Sequence, residues 1–212
     1  MPIKVLIADD HFPVRFGLEL LTREVLGANT KIEFANDFHL ILEKIKKESY
    51  DLLITDIIMP GMDCLTMMEK AFKILPNLRI LVVSVQPKEV FAARYMSAGA
   101  YGYVCKTDSD NELRNAIYQI NLGKRYYPPG IIEKKFTAQQ FDRNNLFELL
   151  SQREFSVMTL LLKGNGMIEI ANALSLSPST ASTYRSRIFN KLQIKSLIEL
   201  YNLAKECKIV ID

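Results

Sequence analysis

Several features that would narrow the class of this 212-residue chain are missing from its sequence. Its three cysteines, Cys64, Cys105 and Cys207, lie far apart, and with only two histidines they form no spacing typical of a zinc site or a disulfide framework. We therefore expect buried thiols in a reducing compartment. No apolar run approaches the roughly 18 residues that cross a bilayer, and the first residues lack the basic start and long apolar centre of a signal peptide. These absences predict a cytoplasmic protein without a membrane partner.

Charge is distributed unevenly along the chain. Hydrophobic residues make up 49% and charged residues 24% of the sequence, which is typical of globular domains, and the length suits two of them. Residues 1–120 contain 14 lysines and arginines against 16 acidic residues, whereas residues 121–212 contain 13 against 8. The basic second half makes nucleic acid a candidate partner for that half, although solvated helices are often basic too.

Strand-like and helix-like segments alternate regularly in the first half. Short apolar runs predict the strands Ile3–Ala8, Lys31–Ala35, Leu52–Thr55, Ile80–Val83 and Ala100–Val104. Helical spacing predicts the helices Val14–Val25, His39–Lys47, Cys64–Ile74, Glu89–Ala98 and Asn111–Leu122. This order predicts an α/β domain over residues 1–122. Its five-stranded parallel sheet would have a flavodoxin-like strand order and helices on both faces.

The alternation stops after residue 122. Residues 123–145 show little periodicity and predict a linker, although Ile131–Phe141 could form a helix of its own. Helices are predicted near Ser151–Lys163, Met167–Ala173, Pro178–Lys191 and Ser196–Glu206. Four short helices joined by tight turns predict an all-α helix-turn-helix domain over residues 146–212.

Chemically active side chains follow four of the predicted strands, at the edge where such sheets place their sites. They are Asp9 and Asp10 after the first strand, Asp56 after the third, Ser84 after the fourth and Lys106 after the fifth. Three carboxylates on one rim repel each other, and Mg²⁺ would relieve that repulsion. Asp56 is then the candidate nucleophile toward phosphorus. Mg²⁺, Lys106 and the Ser84 hydroxyl would stabilise the phosphoryl oxygens.

Each of these residues also has an ordinary structural explanation. Asp9, Asp10 or Ser84 could cap the helix that follows it. Asp56 could open a turn, and Lys106 could be a solvated loop cation. For any one residue alone the structural explanation is preferable, whereas five such residues on one rim favour the functional one.

The segments around these positions resemble a response-regulator receiver domain. They are Ile7–His11, Thr55–Asp63, Val83–Ser84 and Gly102–Lys106. The resemblance implies that a histidine kinase phosphorylates Asp56 and that Lys106 pairs with the phosphoryl oxygens. It implies that Mg²⁺ is held by Asp9, Asp10, Asp56 and the backbone carbonyl of Ile58. It also implies a switch in which the phosphoryl group captures the Ser84 hydroxyl and the Tyr103 ring then moves inward. An ordinary strand-edge aromatic at position 103 would not respond to phosphate.

The helix predicted from Pro178 combines an apolar stripe with a face of short hydroxyls and arginines. Such a face suits a major groove, although by charge alone an ordinary amphipathic surface helix would be the better explanation. Residues 146–206 are similar to the LuxR-type helix-turn-helix, so that the whole chain resembles the NarL/FixJ family. The resemblance implies that this helix binds double-stranded DNA. Base edges would be contacted by Ser182, Thr183 and Ser186, and phosphates by Thr180, Arg185, Arg187 and Lys191.

The last predicted helix would help to form a homodimer in this family. The residues for that face are Leu197, Leu200, Tyr201 and Ala204, with a place in the core of the domain as an equal alternative. The chain is thus predicted to be a two-component response regulator whose phosphorylation controls dimerisation, DNA binding and transcription. It would catalyse only its own Mg²⁺-dependent phosphotransfer and dephosphorylation.

Two other functions are weighed against this prediction. A pseudo-receiver would dimerise and bind DNA regardless of phosphate, and the presence of all five pocket residues speaks against it. A phosphatase of the haloacid-dehalogenase type would need a second acid two residues after its nucleophile. Ile58 stands at that position, and the chain is too short for an added cap domain, so an enzyme of this type is disfavoured.

Overall fold

The structure is a computed structural model that describes residues 3–128, 146–147 and 149–209. The possible helix over Ile131–Phe141 lies outside these residues. Within the described part of the chain, no helix is long and apolar enough to cross a membrane.

Five strands and five helices alternate in the first domain. They are β1 (Lys4–Ala8), α1 (Phe12–Leu26), β2 (Lys31–Ala35), α2 (Phe38–Lys47), β3 (Leu52–Thr55), α3 (Cys64–Ile74), β4 (Arg79–Ser84), α4 (Lys88–Ser97), β5 (Gly102–Cys105) and α5 (Asp110–Asn121). Asp37, Asp63 and Ser109 cap α2, α3 and α5, because each side chain accepts a hydrogen bond from a backbone N–H of the first turn.

The five strands form one parallel sheet in the order β2-β1-β3-β4-β5. This confirms the predicted flavodoxin-like α/β fold. Alternate strand residues face opposite sides, so Leu6 belongs to the core beneath α2, α3 and α4, and Ile7 to the core beneath α1 and α5. Both faces are therefore covered, as a parallel sheet requires.

The first part of the predicted linker packs against this domain. Tyr126 is buried, and its N–H donates to the carbonyl of Tyr101 at 2.8 Å. Its hydroxyl donates to the carboxylate of Glu112. The packing of the first domain therefore continues past the boundary predicted at residue 122.

The second domain contains α6 (Gln152–Leu162), α7 (Met167–Leu174), α8 (Pro178–Leu192) and α9 (Leu197–Glu206). Ser151 and Glu154 form the capping box that their spacing predicts at the start of α6. Ser177 caps α8, and Pro178 occupies its first turn. Ile170, Ile188 and Leu200 are fully buried between the helices. This arrangement confirms the predicted all-α second domain.

Candidate functional site

The parallel strands bring the predicted pocket residues to one edge of the sheet. Ala8 is level with Thr55 across β1 and β3, and Ser84 is level with Cys105 across β4 and β5. Asp9, Asp56 and Lys106 directly follow these strand ends and therefore meet. The two aspartates are almost fully buried, with 1% and 5% exposure.

Lys106 connects the two buried carboxylates. Its ammonium Nζ lies 2.6 Å from Asp9 Oδ2 and 2.5 Å from Asp56 Oδ2. Its backbone N–H donates to the carbonyl of Ser84 at 2.7 Å, which fixes the start of the side chain. Burial by itself would lower the pKa of Lys106, but the two carboxylates outweigh burial and hold that pKa above its ordinary value.

The remaining oxygen of each carboxylate is held by backbone amides. Asp56 Oδ1 accepts hydrogen bonds from the N–H groups of Ile57 at 2.6 Å and Ile58 at 3.3 Å. Asp9 Oδ1 accepts one from the N–H of His11 at 2.8 Å. The turns that follow β1 and β3 thus fix both carboxylates, and their second oxygens face Lys106.

The acidic groups of the pocket suit a divalent cation. Ligand atoms of Asp9, Asp10 and His11 lie within 4.8 Å of one another, and Asp56 faces Asp9 across Lys106. Three carboxylates against one lysine leave an excess of negative charge, and carboxylate oxygens are ligands that Mg²⁺ prefers. The residues present therefore fit Mg²⁺. His11, whose Nδ1 lies 2.8 Å from Asp10 Oδ1, is not among the predicted site residues, although its place directly after Asp9-Asp10 could have indicated it.

The predicted switch residues are both fully buried. The Tyr103 ring points inward, its hydroxyl donates to the carbonyl of Gln86 at 2.9 Å, and its centroid lies 6.2 Å from that of Tyr95. Ser84 Oγ accepts from the N–H of Gln86 at 3.4 Å. Burial raises the pKa of Tyr103 well above its ordinary value, so the hydroxyl stays a donor. Gln86 links the two residues, and sequence reasoning missed it because a glutamine in a loop gives no signal of its own.

Helix α8 presents the predicted polar face to solvent. Its apolar stripe faces the domain core, since Ala181, Ile188 and Leu192 are buried. Of the predicted contact residues, Ser182, Thr183, Ser186, Arg187 and Lys191 are exposed, while Thr180 and Arg185 are half-buried. The guanidinium of Arg185 lies 5.2 Å from the ring centroid of Phe189, and that of Arg187 lies 5.8 Å from the centroid of Tyr184.

The structure gives Lys191 a partner inside its own domain. Its Nζ lies 2.6 Å from Glu154 Oε2 and donates to the carbonyl of Leu149 at 3.1 Å. Burial alone would raise the pKa of Glu154, but Lys191 and the N–H of Ser151 hold that pKa below its ordinary value. Lys191 therefore joins α8 to the start of α6. This pairing competes with the phosphate contact predicted for Lys191, and that contact stays a prediction.

The residues predicted for a dimer face divide into two groups. Leu200 and Ala204 are fully buried in the domain core, which favours the alternative of a core position for these two residues. Leu197 and Tyr201 are exposed, together with the neighbouring Ile198, and they border an apolar groove between α6 and α9. Ile198 was missed because its spacing places it off the stripe that the other residues suggest.

A receiver-like pocket on a flavodoxin-like sheet, joined to a helix-turn-helix domain, defines the class of response regulators. Residues 5–118 match the family model of the response regulator receiver domain, and residues 148–204 match that of bacterial regulatory proteins of the luxR family. The chain belongs to the response regulators of transcription that carry a receiver domain and a LuxR-type DNA-binding domain.

Relatives of similar length support this membership. The chain is 35% identical over 208 residues to the response regulator GacA of Pseudomonas aeruginosa, covering 95% of each protein. It is 34% identical over 207 residues to the virulence regulator BvgA of Bordetella pertussis, covering 95% of this chain and 96% of BvgA. A solved structure of RcsB from Salmonella enterica serovar Typhimurium, bound to a promoter with the phosphomimetic BeF₃⁻, has a TM-score of 0.81 and 25% identity. The alignment covers 97% of this chain and 100% of RcsB.

Proposed function

We propose that a histidine kinase phosphorylates Asp56 and that this phosphorylation controls dimerisation and sequence-specific binding of double-stranded DNA by α8. We assign residues 1–122 to the receiver, residues 123–145 to a linker whose first part packs against the receiver, and residues 146–212 to the DNA-binding domain. The observation that carries the proposal is the buried Asp56 carboxylate, fixed by backbone amides on one side and contacted by Lys106 at 2.5 Å on the other.

Asp56 is arranged as the acceptor of a phosphoryl group. One of its carboxylate oxygens attacks the phosphorus of a phosphohistidine, the P–O bond forms as the P–N bond breaks, and the imidazole leaves with the electron pair and takes a proton from solvent. Mg²⁺, when bound by Asp9, Asp10, Asp56 and the carbonyl of Ile58, supplies positive charge near the phosphoryl oxygens. Lys106 contacts the attacking carboxylate, so its ammonium is within reach of the same oxygens.

The reactions that we assign to the chain are its own phosphorylation and dephosphorylation. The partly exposed pocket edge at Asp10 and His11 gives the phosphodonor and water access. The Tyr103 ring already points into the core. Its hydroxyl contacts Gln86, whose backbone also contacts Ser84. Capture of the Ser84 hydroxyl by the phosphoryl group would favour this arrangement over an outward ring.

DNA binding is assigned to the exposed face of α8. We assign contacts with base edges to Ser182, Thr183 and Ser186, and contacts with phosphates to Thr180, Arg185 and Arg187. The RcsB structure bound to a promoter supports this assignment through the shared domain type. The exposed Leu197, Ile198 and Tyr201 are assigned to the dimer contact.

The proposal is tested by phosphorylating the full chain with Mg²⁺ and a small phosphodonor, and following the intact mass. Asp51→Ala is the matched control for Asp56→Ala, because Asp51 lies at the opposite end of β3, where it accepts a hydrogen bond from the N–H of Lys4. We expect one phosphoryl adduct in wild type and in Asp51→Ala, and none in Asp56→Ala. The adduct should shift the protein toward a dimer on a sizing column and raise its affinity for DNA.

An adduct that persists in Asp56→Ala would overturn the assignment of the acceptor. Dimerisation and DNA binding that are the same with and without the adduct would favour the pseudo-receiver, whose output ignores phosphate.

A further inference from the structure

The two domains contact each other through a buried aromatic pair and several hydrogen bonds. Phe91 on α4 meets Phe155 on α6 edge to face, with ring centroids 5.2 Å apart and an interplanar angle of 78°. Both rings are 2% exposed. The core beneath α2, α3 and α4 continues through this pair into the core of the second domain. The aromatic pair is thus buried as side chains in a protein interior are.

Arg94 adds directional bonds to the aromatic pair. Its guanidinium lies 4.1 Å from the ring centroid of Phe155 and donates to the carbonyls of Phe147 at 2.9 Å and Leu150 at 2.7 Å. These carbonyls belong to the turn before α6. A planar cation that stacks on a ring and donates to two carbonyls restricts the relative orientation of the two domains more than apolar packing does.

A second set of bonds joins the start of α3 to α6. The hydroxyl of Ser156 donates to Asp63 Oδ1 at 2.9 Å, and the same oxygen accepts the capping bond from the N–H of Thr66 at 3.0 Å. The guanidinium of Arg153 donates to Thr66 Oγ1 at 3.3 Å. The cap of α3 and the surface of α6 are therefore parts of one hydrogen-bonded group.

The two receiver helices in this contact follow the strands that carry the pocket. The turn after β3 begins with Asp56 and ends with Asp63, which caps α3. The turn after β4 begins after Ser84 and leads through Gln86 into α4, which carries Phe91 and Arg94. Tyr95 on α4 lies beside Tyr103. A change at the pocket that moves either turn would therefore move one side of the interdomain contact.

Among the described residues, the contacts between the two domains leave the polar face of α8 exposed. The described contacts to the receiver come from α6 and the turn before it, whereas Ser182, Ser186 and Arg187 on α8 remain exposed. An interdomain contact that blocked DNA binding by masking the α8 face would cover these side chains. This one leaves them open.

We propose that the surface formed by the start of α3 and by α4 is a docking site for α6 of the same chain. Docking holds the DNA-binding domain with α8 open, and phosphorylation of Asp56 strengthens it. The contact therefore promotes DNA binding instead of inhibiting it. This inference rests on the proposed function, because it assigns a structural route to the same phosphorylation.

The test compares Arg94→Ala with Arg79→Ala in the full chain. Arg79 is a matched control because its guanidinium also donates to two backbone carbonyls, those of Ile120 and Asn121, but within the receiver. Small-angle scattering should show a larger radius of gyration for Arg94→Ala only. In a DNA titration, phosphorylation should raise the affinity of wild type and of Arg79→Ala by about tenfold, a usual size for coupling between sites, and that of Arg94→Ala much less.

A second variant, in the other domain, shows whether the effect of Arg94→Ala comes from lost docking or from a damaged receiver fold. Ser156→Ala removes the bond to Asp63 from the other side of the contact, and it should reduce docking in the same direction as Arg94→Ala. Both variants should still form the phosphoryl adduct, since neither Arg94 nor Ser156 is among the residues assigned to the pocket.

Three results would overturn the inference. Unchanged scattering in both variants would mean that this surface does not dock the domains. A higher DNA affinity of unphosphorylated Arg94→Ala would identify an inhibitory contact. If docking is lost but phosphorylation still raises the DNA affinity in full, docking has no role in DNA binding. If phosphorylation fails to raise the affinity of wild type, the proposed function fails instead, and the scattering comparison still decides whether this surface docks α6.

Discussion

The phosphorylation pocket and the exposed face of α8 use polar side chains in opposite ways. In the pocket, both oxygens of Asp9 and of Asp56 have partners within the chain, and Lys106 bonds to both residues. On α8, the hydroxyls of Thr183 and Ser186 bond back to carbonyls of their own helix and remain in contact with solvent. The pocket is a fixed charge arrangement, whereas the α8 face can change its partners when a ligand arrives.

This difference separates the energetic roles of the two regions. Buried charges without a partner are costly, so a pocket residue affects folding as well as chemistry. An exposed hydroxyl or arginine costs the folded state little, so that its removal should affect binding alone. Lys191 is the exception, because it lies on the binding helix and is paired like a pocket residue.

The largest expected effect is that of Lys106→Ala. Removal of the ammonium leaves two buried carboxylates facing each other, and we expect a loss of about 3–5 kcal/mol in the free energy of unfolding. Mg²⁺ should restore more stability to this variant than to wild type, because it can replace the missing positive charge. Urea unfolding with and without Mg²⁺ measures both effects.

Lys88→Ala is the control for this experiment, since Lys88 forms a more exposed pair with Asp108 at 2.8 Å. If Lys106→Ala were as stable as Lys88→Ala, the buried carboxylates would not depend on Lys106 as described above.

The next effect compares two cations of α8. Lys191→Ala should lower the free energy of unfolding of the second domain by about 1 kcal/mol, less than is usual for a hydrogen bond to a charged group because Lys191 is partly exposed. Arg187→Ala should leave stability unchanged. It should weaken DNA binding and reduce the slope of log affinity against log salt by about 1. Thermal unfolding and DNA titrations at several salt concentrations separate the two. The reverse pattern would support the predicted phosphate contact of Lys191.

An effect of similar size is expected for Tyr103→Phe. The variant keeps the buried ring but loses the hydrogen bond to the carbonyl of Gln86, which we expect to cost about 1 kcal/mol in the free energy of unfolding. The exposed Tyr118 provides the control Tyr118→Phe, which should cost nothing measurable. Equal stabilities of the two variants in urea would argue against a fixed inward position of Tyr103.

The smallest effect concerns a half-exposed ion pair outside both regions. Hydrogen bonds from Lys44 and Lys4 lower the pKa of Glu33 from 4.5 to about 2. Because the folded pKa lies below the unfolded one, the stabilisation is present above about pH 4.5 and is lost as the pH falls toward 2. The stability difference between wild type and Glu33→Gln should therefore shrink between pH 6 and pH 3 in urea unfolding. A difference that does not change with pH would exclude this linkage.

Much of the fold was predictable because local patterns determine it. Apolar runs and helical spacing predict the strands and helices, and the chain-order rules for parallel sheets predict which strand ends meet. Asp9 and Lys106 are distant in sequence, yet both follow strands, and the rule for strand ends therefore places them together. The capping box of Ser151 and Glu154 and the start of α8 at Pro178 were predictable for the same local reason.

The remaining features depend on how whole elements pack. The pair of Lys191 and Glu154 and the burial of Leu200 depend on the crossing of helices, which spacing along one helix does not encode. The hydrogen bond between Tyr103 and Gln86 likewise depends on how β5 packs against the turn after β4. The sequence by itself determined the two domains, the pocket residues and the polar face of α8, because period and position at strand ends are local properties. Only the tertiary structure decided which cations are already paired and that Arg94 joins the domains, because those contacts exist only once separate elements have packed together.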